Sequence, residues 1–517
     1  MKKNLLYIVI CSICLGACSK DMLDLVPETH LSSESFFKNE AQFNQALAGA
    51  YTNLRGVAFT GIYMDEMRSD NTFFTFYQAD RGTATSVEAM ATFTDNSLSS
   101  QEPNNAGNRY GNAYSGIAKV NTILGRIKKD IGMSQASIDA IMGEALFLRA
   151  FYYFDLVTHY GGVPLQLEEL TSTDGAFLPR NSIDDVYNQI IQDLNAAIPK
   201  LQVATTFPQS GRATKGAARM LLAYAYMSKP AREYAKAEVE LKAITQMNYA
   251  LLPNYANVFN PANKNNRESI FEVQYKAGNE GQQSDFIWRF IPKTTNPQAI
   301  LGVPGVNLRG SLRSGGWNVP TQELVDSYES GDLRLPASIA VAEGTQVGEN
   351  FTTTAVKSPV GYTPAPGTTY YYFIKKFLNP PYSVEWNTND NFPVYRYSGA
   401  LLLLAEALVY QNKNVEALPY VNQVRARAGL PPLTAATKEN VAREMRHELA
   451  FENRRWTDLI RNGTAVEVLN AKGTRMKALY GWLLPTSFNV DANRLLYAIP
   501  FREMQINNNL VQNPGYN

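Results

Sequence analysis

The chain has 517 residues, with 48 basic and 47 acidic side chains, a formal charge of +1 and 45% hydrophobic content. That balance excludes a strongly basic nucleic-acid binder and a highly charged disordered chain, and it suits a packed core. Tyrosine is the compositional outlier, with 29 copies beside 24 Phe and 5 Trp, and a core of this size absorbs most of those rings.

The sequence opens MKKNLLYIVICSICLGAC. Lys2 and Lys3 precede an apolar run from Leu5 to Leu15. That run is shorter than the roughly 20 residues needed to span a bilayer, so it reads as the apolar region of a secretory signal. Leu15-Gly16-Ala17-Cys18 has the form of a bacterial lipobox, in which the cysteine is lipidated and becomes the first mature residue. Residues 1–17 are therefore expected to be a signal peptide, and Cys18 a lipid anchor. Cys11 and Cys14 would leave with the signal. No disulfide is then expected in the mature chain, and packing must supply its stability.

Helical periodicity dominates the chain beyond Cys18. In ESFFKNEAQFNQALAGAYTNL, the residues Phe36, Phe43, Ala46, Leu47, Ala50 and Tyr51 recur at three- and four-residue steps and share a face. Residues 56–115, rich in Gly, Asn, Thr and aromatics, read as loops and short strands. IDAIMGEALFLRAFYYFDLV (138–157) predicts a long helix that stops at Gly161-Gly162. Ser182 is placed to cap the next helix, DDVYNQIIQDLNAAIPKL.

Three segments share the small-and-large spacing of a 34-residue tetratricopeptide unit. The first starts at Ala150 and Tyr153 and is completed, after an insertion, by Ile190, Leu194 and Ala197. The second runs through Leu222-Ala223, Tyr226, Ala237, Leu241 and Ile244. The third runs through Leu404-Ala405, Leu408, Ala417, Val421 and Val424. Such units must stack, because none buries its apolar face alone. Between the second and third, residues 250–395 are rich in Pro and Gly. Alternating runs such as ESIFEVQYK (268–276) and TTYYYFIKKF (368–377) predict strands there. An irregular insert in a helical scaffold is the expected home of function.

REMRHELAFENRRWTDLIRNG (443–463) interleaves Glu444, Glu448, Glu452 and Asp458 with its arginines. It reads as ion-paired helix faces, with Leu449, Phe451, Trp456 and Leu459 buried, and not as a nucleic-acid helix. His30, His159 and His447 are far apart in sequence, and no zinc set or Gly-x-Ser-x-Gly turn accompanies them.

The chain resembles the SusD/RagB family of outer-membrane nutrient-binding lipoproteins of Bacteroidetes. The resemblance rests on CSKDMLDLVP, whose Ser19-Lys20-Asp21 looks like a surface-export signal, and on GEALFLRAFYYFDLVTHYGGVPL at 143–165. It continues through GRATKGAARMLLAYAYM and NFPVYRYSGALLLLAEAL to REMRHELAFENRRWTDLIRNG and the terminal YAIPFREMQINNNLVQNPGYN. It implies a mainly α fold. Residues 18–517 would form one domain, with a tetratricopeptide-like scaffold from 18–250 and 392–517 and an irregular ligand-binding insert at 251–391. It further implies a non-catalytic protein of the outer-membrane surface, without a cofactor or nucleic-acid partner. Such a protein would bind an extracellular glycan and deliver it to a SusC-like TonB-dependent transporter; a peptide ligand is the alternative. Any chain with 47 acids could pair two carboxylates for glycoside hydrolysis, and it is the resemblance that argues against it.

Sugar faces stack on exposed rings, and sugar hydroxyls pair with Arg, Asp and Asn. Two stretches offer both. MDEMRSDNTFFTFYQADRG (64–82) supplies Arg68, Asp70, Asn71, Phe74 and Tyr77; SDFIWRF and SLRSGGWNV supply Trp288, Arg289, Arg313 and Trp317. Trp386, in PPYSVEWNTNDN, is a further candidate. The corresponding regions of characterised relatives line the ligand site, which makes these the expected binding residues. Trp317 leads the set, because the flexible Gly315-Gly316 beside it suit an exposed ring. The alternatives are core packing for each ring and a structural pairing of Arg68 with Asp70.

Overall fold

A computed structural model describes residues 36–78, 84–96, 104–127, 132–173, 175–303, 315–380, 382 and 386–516. Cys18, His30 and Arg313 lie outside the described residues. Helix α1 (Glu40–Tyr51) is capped by Asn39 and buries Phe43, Leu47 and Ala50. Helix α2 (Asn53–Gly61) runs directly into a single π-helical turn, Ile62–Met67. That turn leads to a two-residue strand, β1 (Thr72–Phe73).

Helices α3 (Ala84–Thr92) and α4 (Asn105–Arg126) come next. The described part of residues 56–115 is therefore largely helical, contrary to the loop-and-strand expectation. Composition misleads here because tertiary burial overrides weak propensity. Asn104 caps α4, whose stripe of Ala113, Ile117 and Val120 is buried. At Gly116 a Cβ would lie only 2.3 Å from the Tyr152 ring, so glycine is what lets α4 approach the next helix so closely.

That helix, α5 (Gln135–Tyr160), is the long one expected, and it ends at Gly161 with φ +74°. It pairs with α6 (Ile183–Ala197), which opens on a complete capping box between Ser182 and Asp185. Helices α7 (Lys215–Ser228) and α8 (Tyr234–Thr245) form the second expected hairpin. Ala150, Ala197, Ala223 and Ala237 are all fully buried at these contacts.

The insert is mixed. Strand β2 (Ser269–Val273) precedes helix α9 (Phe286–Phe290), strand β3 (Val319–Pro320) and helix α10 (Gln322–Ser327). Strands β4 (Ile339–Val347), β5 (Asn350–Lys357) and β6 (Thr369–Ile374) then form an antiparallel sheet in the order β5-β4-β6. Strand β7 (Phe392–Arg396) closes on β2 in antiparallel register, from Ser269↔Arg396 to Val273↔Phe392. The β2–β7 pair thus ties the two ends of the insert to each other.

The chain returns to helix with α11 (Tyr397–Val409) and α12 (Asn414–Arg427), the third hairpin, where Ala405 and Ala417 are again fully buried. Helices α13 (Lys438–Glu448), α14 (Arg455–Arg461) and α15 (Ala465–Leu479) complete the scaffold. Leu449, Phe451, Trp456 and Leu459 are buried as expected. The charges of this region pair differently from the expectation of intrahelical faces. Glu448 accepts from Arg396 at 2.8 Å and from Arg427. Glu452 binds Lys376 at 2.8 Å and Arg396 at 2.7 Å. Glu406 on α11 takes Arg461 at 2.6 Å. Arg454 donates to the Val394 carbonyl, not to Asp458. Asp458 keeps an intrahelical partner, Arg461 at 2.6 Å, but Glu448, Glu452 and Arg454 are met by elements across the core. The motif staples strand β7 and the insert to the scaffold.

Candidate functional site

Three cavities stand out among the described residues. One of about 70 Å³ is lined by Asp65, Arg109, Asp155 and His159 together with apolar side chains such as Phe151 and Phe154, room for about two waters. Another, of about 230 Å³, lies between Arg55, Arg212 and Gln274. The largest, about 540 Å³, is a groove walled mainly by rings, and its size falls within the range of small-molecule sites.

Five elements build the groove, one of them the start of α10 with its cap Thr321 and first residue Gln322. The β1 segment contributes Phe73, Phe74, Thr75 and Phe76, and β3 contributes Val319 and Pro320. These pair antiparallel, with Thr72 opposite Pro320 and Phe73 opposite Val319. Strand β6 brings Tyr370, Tyr371 and Tyr372; the end of α15 brings Met476 and Leu479, then Tyr480 and Trp482 beyond it. Trp482 stacks on Phe76 at 4.3 Å and lies within 12° of parallel to Phe73 at 6.1 Å. Tyr480 stacks on Phe73 at 5.8 Å and is 38% exposed. On the opposite wall, Tyr370 and Tyr372 meet edge to face at 5.6 Å. The groove thus combines apolar ring surface with the hydroxyls of tyrosine and threonine, a mixture suited to ligands with one flat apolar face and a polar rim.

Beneath the groove, buried charges hold the β1 turn. The Lys472 ammonium donates to the carbonyls of Ser69 at 2.6 Å and Thr72 at 2.8 Å. It sits 5.2 Å from the Phe73 ring. Burial pulls it down to about 7. Lys472, Met476 and Leu479 share one face of α15, so a single helix supplies both the prop and part of the lining. Asp70 is clasped by Arg455 at 2.7 Å and Arg446 at 3.0 Å. Burial alone would raise its carboxyl, but the two guanidinium groups outweigh that and hold it well below the usual range. Asn71 donates to Glu66 at 2.9 Å and accepts from Arg446 at 2.9 Å.

These contacts correct part of the expected site. Arg68 is fully buried, its guanidinium 4.2 Å from the Phe93 ring and 4.4 Å from the Tyr497 ring and paired with Asp95. It does not pair with Asp70. Arg68, Asp70 and Asn71 present no free edge to a ligand in this conformation; they anchor the turn that carries the groove. Trp288 is fully buried in a second core cluster, against Tyr382 and Trp386. Arg289 bonds Asp285 at 2.6 Å and the Tyr63 hydroxyl at 3.1 Å.

Trp317 is 9% exposed, packed edge-on against Tyr63 and 6.1 Å from Phe74. Its glycines are there for close approach, not flexibility. Both have φ +75°, and a Cβ on Gly315 would lie 2.9 Å from the backbone of Ile291 and Lys293. Their amides dock on the carbonyls of Trp288 and Ile291. Of the expected residues, Phe74 lines the groove. Tyr77 and Trp386 remain half-buried, Tyr77 beneath the Lys293 ammonium at 5.0 Å.

The rings that do wall the groove are mostly ones the sequence pattern does not single out. Tyr370–Tyr372 read as strand residues, and nothing in a strand pattern says which face is open. Tyr480 and Trp482 carry a usable signal: two rings around Gly481, three residues before Pro485, just past a helix.

A family model described as the SusD family matches residues 267–516. A second, described as starch-binding associating with outer membrane, matches residues 21–229. A SusD-like protein of Formosa agariphila is 26% identical over 565 aligned positions covering 100% of both chains. The starch-binding protein SusD of Bacteroides thetaiotaomicron is 25% identical over 437 positions, 74% of each chain. Among solved structures, a laminarin-binding SusD-like protein is 26% identical and superposes with a TM-score of 0.72, over 92% of this chain and 100% of its own. Matching from residue 21 to residue 516, with the tetratricopeptide-like helical fold described above, the chain belongs to the SusD family.

Proposed function

We propose that this protein is a glycan-binding lipoprotein of the outer-membrane surface. It captures an extracellular oligosaccharide and passes it to a SusC-like TonB-dependent transporter. The observation that carries the reading is the ring-walled groove between β1, β6 and the end of α15. Stacking rings with neutral hydroxyls around them suit the face and rim of a sugar. The described lining offers rings, hydroxyls and one amide, groups suited to holding a sugar. The related proteins named for starch and laminarin support the same class of ligand. Anchoring through Cys18 and transfer to the transporter complete the proposal.

The test is calorimetric titration of the soluble chain beginning at Ser19 against polysaccharides and a peptide digest. Heat with a glycan, lost in Trp482→Ala, supports the reading. Heat with peptides alone overturns it in favour of a peptide lid.

A further inference from the structure

Resting on the glycan reading above, we infer that the groove selects uncharged glycans and rejects those carrying uronate or sulfate. Among the described lining residues none is charged; the polar ones are threonine, glutamine and tyrosine. Three basic groups near the lining face acceptors of the protein itself, and one of them, the exposed Arg475, lies 3.9 Å from the Glu323 carboxylate. Lys472 is fully buried with its ammonium on backbone carbonyls of the β1 turn. Arg446 is shared between Asp70 and Glu323, the latter at 2.7 Å.

The rim adds a negative charge. Exposed Gln322 donates its amide to the exposed carboxylate of Asp326 at 2.8 Å, so an anion settling beside Gln322 would meet Asp326. The walls act in the same direction. Aromatic faces carry the negative side of the ring quadrupole, and a carboxylate or sulfate desolvated against them finds no cation among the described lining residues to offset the cost. A neutral sugar meets neither penalty, and its C–H face is attracted to the same rings. Discrimination here comes from an unfavourable term built against the wrong ligand.

The experiment titrates the soluble chain from Ser19 with neutral amylose, laminarin, xylan and mannan, and with anionic polygalacturonate, alginate and chondroitin sulfate. Each titration is repeated with Trp482→Ala and Gln322→Lys. The expected result is binding of at least one neutral glycan, weakened about tenfold or more by Trp482→Ala. That affinity should change less than about twofold between low and high salt, because no ion pair is made. No anionic glycan should bind within tenfold of it, and Gln322→Lys should narrow that gap. An anionic glycan that binds best and is lost in Trp482→Ala overturns the charge selectivity while leaving the glycan reading standing. Rejection of anions unchanged in Gln322→Lys also overturns it, since charge would not be the cause. Silence with every glycan removes the glycan reading, and the selectivity with it.

Discussion

Lys472 donates to the Ser69 carbonyl at 2.6 Å from directly beneath the strand that carries Phe73 into the groove. A helix of the C-terminal scaffold therefore fixes the position of rings near the other end of the chain. Replacing Lys472 with Met keeps the stem but orphans the buried carbonyls of Ser69 and Thr72. The expected loss is about 2–4 kcal/mol of unfolding free energy, measured by urea denaturation, together with weaker glycan binding.

The same residue gives a pH signature. Its folded-state value of about 7 lies below the ordinary lysine value, near 10.4 in unfolded chains. Between those values the unfolded chain holds a proton that the folded chain has shed. Stability therefore rises with pH across that window, by at most about 1.4 kcal/mol per pH unit for one proton. Lys376, pulled down to about 8 by burial, acts in the same sense. Urea midpoints should climb from pH 7.5 to 9.5, and Lys472→Met should flatten the climb. A midpoint falling over that interval contradicts the prediction.

Asp70 behaves oppositely. Its carboxyl is held low, so its contribution is present above the ordinary aspartate value near 3.9 and is lost as pH falls below it. Asp70→Asn leaves Arg446 and Arg455 without this shared partner. The expected cost is about 3–5 kcal/mol at pH 7, with a smaller difference from the parent protein at pH 3, read from thermal or denaturant unfolding.

Trp317 and Trp482 separate support from contact. Trp317→Ala should cost about 3–5 kcal/mol of stability, whereas Trp317→Phe should fold and keep glycan affinity within about threefold, since the ring backs Phe74 and does not line the groove. Trp482→Ala should cost little stability and most of the affinity. Equal affinity losses in Trp317→Phe and Trp482→Ala would contradict this division.

Much of the scaffold was legible in the sequence. The alanines at 150, 223 and 405 marked close helix contacts, and all three are fully buried, while Gly161 and Ser182 marked helix ends through backbone geometry. The 56–115 segment was not legible, because its helices depend on packing that its composition does not reveal. The site was legible only in part. Arg68 and Asp70 have the chemistry of sugar contacts, but the same chemistry builds buried ion pairs, and only three-dimensional partners such as Asp95 and Arg455 decide between them. For the tryptophans, exposure was the deciding property, and a ring carries no sequence signal of which side faces solvent. Trp482 carries a local signal in Tyr480-Gly481-Trp482, but its place in a groove emerges from the convergence of α15 and β1.

The most direct test is a crystal structure of the soluble chain with the oligosaccharide identified by titration. The expected result is a sugar ring within about 4.5 Å of the Trp482 or Tyr480 ring, with its hydroxyls among Tyr370–Tyr372. Ligand density confined to the Trp386 face or to the cavity beside Arg55 and Arg212, with the groove empty, would contradict the assignment of the groove as the glycan site.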